Sequence, residues 1–114
     1  MMNSKGLAAL VASVSLFGSQ QVHALTVDQL KEGLAQALAS GVLDTTLGTY
    51  VTGYVHGSAE FGRTLGLVCD EANLHSVEDE LRAVQTYVQA HSDQWADGAQ
   101  LLVNRALVSP RCRH

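Results

Sequence analysis

LGTYVTGYVHGSAEFGRTL, residues 47–65, decides the fold. Its apolar positions recur every three or four residues, at Leu47, Tyr50, Val51, Tyr54, Val55, Phe61 and Leu65, with Ser58 on the same side. That spacing is one broad face of a helix, not the alternation of a strand. Extended to its natural ends, the pattern predicts the longest helix of the chain, from about Asp44 to Leu67. Gly53 and Gly57 fall four residues apart on this face. A glycine inside a helix costs about 1 kcal/mol relative to alanine, so the pair predicts that another backbone approaches closely there. An intramolecular helix crossing is the first reading and a homodimer seam is the second.

Outward from this stretch the helical period continues. Thr26 with Gln29 forms a capping box for a helix over Val27 to Ser40, with Leu30, Leu34, Ala37 and Leu38 as its stripe and Gly41 as its stop. Ser76, with Asp79 three residues on, starts a third helix whose stripe is Val77, Leu81, Val84 and Val88, with Tyr87 at its edge. A fourth runs from about Asp93 to Val108, with Trp95, Ala99, Leu102, Ala106 and Leu107 facing inward, and Pro110 ends it. The expected fold is all-α, a small four-helix domain.

Upstream, Lys5 precedes an apolar run from Leu7 to Phe17 that exits through Val22-His23-Ala24. A basic start, a short apolar core and a small-x-small exit form the pattern of a cleavable secretory signal. The run falls short of the roughly 18 apolar residues of a membrane span, and no later run reaches that length. The expectation is a signal peptide over residues 1–24, cleaved after Ala24, and one exported domain over residues 25–114. Export makes the two cysteines, Cys69 and Cys112, a candidate disulfide. Closing that loop of some 43 residues would stabilise the fold by about 4 kcal/mol on the chain-entropy model. A reactive thiol and a metal ligand are the alternatives.

Beyond the signal, six Lys/Arg stand against eleven Asp/Glu. This acidic balance excludes nucleic acid, which wants a basic footprint, and an anionic membrane surface. A basic protein partner fits it. His56, His75, His91 and His114 show no metal spacing, and no nucleophile elbow surrounds a serine. The expectation is therefore no enzyme, no metal and no cofactor, with His56 a flank histidine of the long helix. Seven carboxylates lie between Asp70 and Asp97, with Arg82 the one cation among them. Glu78, Asp79 and Glu80 sit in a helix's first turn, where negative charge gains about 0.3–1 kcal/mol each, and Asp93 and Asp97 are read in the same way. Asp70 and Glu71 have no such local reason. With Asn73 and His75 they make the loop after Cys69 a candidate binding element, and Glu78 stands at its rim.

The order of motifs, from Gly53-Tyr54-Val55-His56-Gly57 through Cys69, Tyr87-Val88 and Leu101-Leu102-Val103 to Pro110 and Cys112, resembles the Rap/Tai immunity family over roughly Leu47 to Cys112. The chain departs from that pattern at Val51, where members carry a further cysteine. The resemblance implies a periplasmic antidote that binds and blocks a peptidoglycan-cleaving amidase effector of a type VI secretion system, often as a homodimer. On this reading Asp70, Glu71, Asn73, His75 and Glu78 contact the effector. A second reading of the same small exported helical body is a periplasmic acid-stress chaperone, although the lysine-rich segments expected of one are missing.

Overall fold

The computed structural model describes residues 24–69 and 74–108, and every regular element among them is helical. Helix α1 spans Val27–Ser40, α2 Thr46–Thr64, α3 Val77–Ala90 and α4 Ala99–Leu107, with a 3₁₀ helix at Ser92–Asp97. Of the predicted leader, residues 1–24, only Ala24 falls among the described residues.

Local chemistry accounts for the starts and stops. The Thr26 hydroxyl accepts from Gln29 N and the Gln29 side chain accepts from Thr26 N, both at 3.0 Å, which is the predicted capping box. Thr45 caps α2 by accepting from Gly48 N, and the helix ends at Thr64, three residues short of the predicted Leu67. Ser76 Oγ accepts from Asp79 N, as predicted. The Asp79 carboxylate reaches one residue further back than a capping box requires, to His75 N at 3.2 Å. The fourth predicted helix is broken. Gly98 has φ 96°, a backbone state that disfavours any other residue, so the segment divides into the 3₁₀ turn and the shorter α4. Trp95 lies in that turn, partly buried, donating Nε1–H to Val88 O at 2.9 Å, with the Lys31 ammonium 3.9 Å above its ring.

The core joins all four α-helices. Leu30, Leu34, Val51, Val55, Leu81, Val84, Leu102 and Val103 are almost fully excluded from solvent. Packing among the described residues begins at Leu25, which is buried while Ala24 is exposed. The face predicted for α2 divides in two. Val51, Val55 and Ala59 point into the core, whereas Tyr50, Phe61 and Leu65 are exposed. The hydroxyl of Tyr54 donates to Gln100 Oε1 at 2.6 Å, tying α2 to α4. Burial, and then the neighbouring Tyr50, pushes the Tyr54 phenol up from its ordinary 10.0.

The predicted crossing at Gly53 and Gly57 is not where the helices meet. Both glycines are exposed, and a Cβ on either would meet no atom of the described residues within 4 Å. The close approach of α1 to α2 lies one face round, at Gly33 and Gly48. A Cβ at Gly33 would collide with the Val51 side chain, and one at Gly48 would come within 3.3 Å of Ala37 N. The phase of the helix was misread because apolar residues cover more than half of its circumference. Gly53→Ala and Gly57→Ala are therefore expected to raise stability by about 0.5–1 kcal/mol each, and Gly33→Ala to lower it by about 1–3 kcal/mol. Urea unfolding checks both. A loss of stability at Gly53→Ala would mean that some backbone does approach that face.

Candidate functional site

α2 ends and α3 begins on either side of the segment that carries the acidic loop. Both shoulders of the loop are anchored in the core, since Val68 and Leu74 are each 4% exposed. Gly62 O accepts from Leu67 N at 2.8 Å and from Val68 N at 3.2 Å, which turns the chain out of α2. Between the shoulders, residues 70–73 lie outside the described residues, and with them Asp70, Glu71 and Asn73.

Beside the Leu74 shoulder stands a charged cluster. Glu80 is 2% exposed, although its place in the first turn of α3 predicts a solvated carboxylate. Burying a charge is costly unless it is paired and hydrogen-bonded. Here Arg63 donates to Glu80 Oε2 at 2.8 Å and His56 Nδ1 lies 2.8 Å from Glu80 Oε1. An ionised carboxylate only accepts, so the His56 ring donates from Nδ1. Arg63 also donates to Glu60 Oε1 at 2.7 Å and to Leu74 O at 3.4 Å, so one guanidinium joins α2, α3 and a shoulder of the loop. The hydrogen bond to Glu80, followed by the charges of Glu80 and Glu60, raises the Arg63 pKa against the opposing effect of burial. No buried side-chain polar atom among the described residues lacks a partner.

His56, Glu60, Arg63, Leu74, His75 and Glu80 line a hollow of about 510 Å³. A second hollow of the same size lies along α3 against α4, lined by Asp79, Arg82, Tyr87, His91 and Ala106 among others. Its walls hold no buried charge, so the first hollow is the candidate site. His56, Glu60 and Glu80 each bring a ligand-capable atom within 4.8 Å of the others, an arrangement that a mixed imidazole and carboxylate set can use to hold a cation.

The predicted contact residues are distributed unevenly around this site. His75 is exposed and lines the hollow. Glu78 is exposed, pairs with Arg82 at 2.8 Å and does not line it. The carboxylates are opposed by more than Arg82, because Arg63 holds Glu80 and Arg105 holds Asp97 at 2.7 Å. His56, read from sequence as a flank histidine, is a working member of the cluster, with a side chain 43% exposed. Sequence spacing missed Glu80, whose partners lie 17 and 24 residues away on another helix. The one available signal was a glutamate at the position four residues before Val84 on the buried stripe of α3. Among the described residues no cysteine is free. Cys112, the expected partner of Cys69, lies outside them.

Among the described residues, fold and site define a small all-helical body with a buried ion cluster beside Leu74. The chain matches no protein-family model, no curated protein and no solved structure. No described helix is long and apolar enough to cross a membrane.

Proposed function

We propose that this protein is an exported inhibitor that binds a peptidoglycan-cleaving amidase effector of a type VI secretion system and acts by obstruction, without chemistry of its own. Export follows from the leader pattern that ends at Ala24, and the packing of Leu25 suits a cut there because every described core residue would be retained. In the periplasm Cys69 and Cys112 form one disulfide, which staples the tail to the start of the acidic loop.

The observation that carries this reading is the clamp at the Leu74 shoulder. Arg63 and His56 on α2 hold the buried Glu80 on α3, and Val68 and Leu74 are sunk in the core. An inhibitory loop gains affinity when it is held in its bound shape beforehand, because less ordering entropy is lost on binding. The carboxylates of Asp70 and Glu71 and the side chains of Asn73 and His75 form the contact, with Glu78 at the rim. Rim charges of this kind mainly raise the association rate.

Toxicity rescue tests the reading. Any amidase effector encoded beside this gene is expressed in the periplasm with and without the protein. Cells are expected to survive only with it, and an Asp70→Ala, Glu71→Ala, Asn73→Ala variant is expected to lose protection while remaining folded. Lysis of protected and unprotected cells alike would overturn the proposal.

A further inference from the structure

His56 and Glu60 lie one helical turn apart on α2, with Nε2 of the ring 4.0 Å from Glu60 Oε1. The opposite ring nitrogen is committed, since Nδ1 donates to the buried Glu80. In the neutral ring that bond leaves Nε2 as a lone-pair donor beside a carboxylate oxygen. Two acceptors thus share one gap. Zinc bonds of about 2.0–2.2 Å to nitrogen and oxygen would fit there if the pair closed by roughly 0.6 Å to reach a tetrahedral angle.

The charge balance favours a cation. Glu60 and Glu80 carry two negative charges and Arg63 offsets one of them. Arg63 occupies Glu80 Oε2 and Glu60 Oε1, but a carboxylate has about four lone-pair positions, so coordination capacity remains. The nearby guanidinium weakens the site without filling it. Behind the ring, the Glu80 carboxylate stands where outer carboxylates hold the tautomer of metal-bound histidines and increase their basicity. Imidazole with carboxylate suits zinc, copper or nickel, whereas calcium and magnesium take oxygen ligands.

We propose that His56 Nε2 and Glu60 form the clamp of a divalent transition-metal site, with Glu80 as the carboxylate that positions His56 and His75 on the rim of the same hollow. The site shares His56 and Glu80 with the clamp beside Leu74, but its metal ligands are not among the residues proposed to contact the effector, so metal binding and effector binding are tested separately.

Calorimetric titration of the untagged full chain with Zn²⁺ tests it. One saturable site is expected, with a Kd of roughly 1–100 µM, and Mg²⁺ in its place gives none. His56→Gln and Glu60→Gln are each expected to weaken binding by about tenfold or more, and Glu80→Gln by about 10–100-fold. Circular dichroism shows whether each variant folds. Glu60 is exposed, so its variant decides the matter if Glu80→Gln does not fold. Absence of saturable binding up to about 1 mM Zn²⁺ would overturn the proposal. So would undiminished binding by both His56→Gln and Glu60→Gln, which would place the metal on other histidines.

Discussion

Arg63→Ala is expected to lower the stability of the fold by about 3 kcal/mol, which for a domain of this size moves Tm down by roughly 12–24 °C. The cause is not the loss of an attractive pair as such. It is the Glu80 carboxylate, 2% exposed, left with only a partly exposed imidazole for company. Breaking a buried pair from one side strands a charge, whereas replacing both partners by apolar groups of similar size is often neutral. The double variant Arg63→Met, Glu80→Leu is therefore expected to be more stable than Arg63→Ala alone. Glu60→Gln, at the exposed side of the same guanidinium, is expected to cost less than about 1 kcal/mol. Denaturant unfolding of the three proteins gives the comparison. A loss below about 1 kcal/mol for Arg63→Ala would show that Glu80 is solvated or neutral in the folded state.

The proposed Cys69–Cys112 bridge carries the other large effect. Closing a loop of some 43 residues restricts the unfolded chain, and Cys69→Ser with Cys112→Ser is expected to cost about 4 kcal/mol. Unlike the Arg63 effect, this one acts mainly through the unfolded state, so the helical content of the folded protein should be unchanged. Oxidised protein is expected to melt at least about 15 °C above protein held in dithiothreitol. Coincident melting curves, or two free thiols in protein recovered from the periplasm, would contradict the bridge.

Much of the helical framework was legible because caps and stripes are local. Thr26 with Gln29 and Ser76 with Asp79 announce two helix starts, and the stripes Leu30–Leu34–Ala37 and Leu81–Val84–Val88 give the buried faces. What depended on the rotation of one helix against another was not legible. The face of α2 could be drawn through Gly53 or through Gly48, and only packing against Ala37 selects the latter. The ion cluster is of the same kind. Only its place four residues before Val84 on the buried stripe sets Glu80 apart from Glu78, yet one is buried against Arg63 and the other is exposed beside Arg82. The break at Gly98 was locally visible, since a glycine between Asp97 and Ala99 is the residue that permits φ 96°. Its neighbours' helical spacing outweighed it.

The proposed mode of action is occupation of an effector's active cleft. Its most direct test is a titration of any purified amidase effector encoded next to this gene with the disulfide-intact protein, with peptide cross-link cleavage in isolated peptidoglycan as the readout. Activity is expected to fall linearly to zero at one equivalent of inhibitor per amidase, as tight binding requires. Undiminished cleavage in the presence of a large molar excess would contradict it.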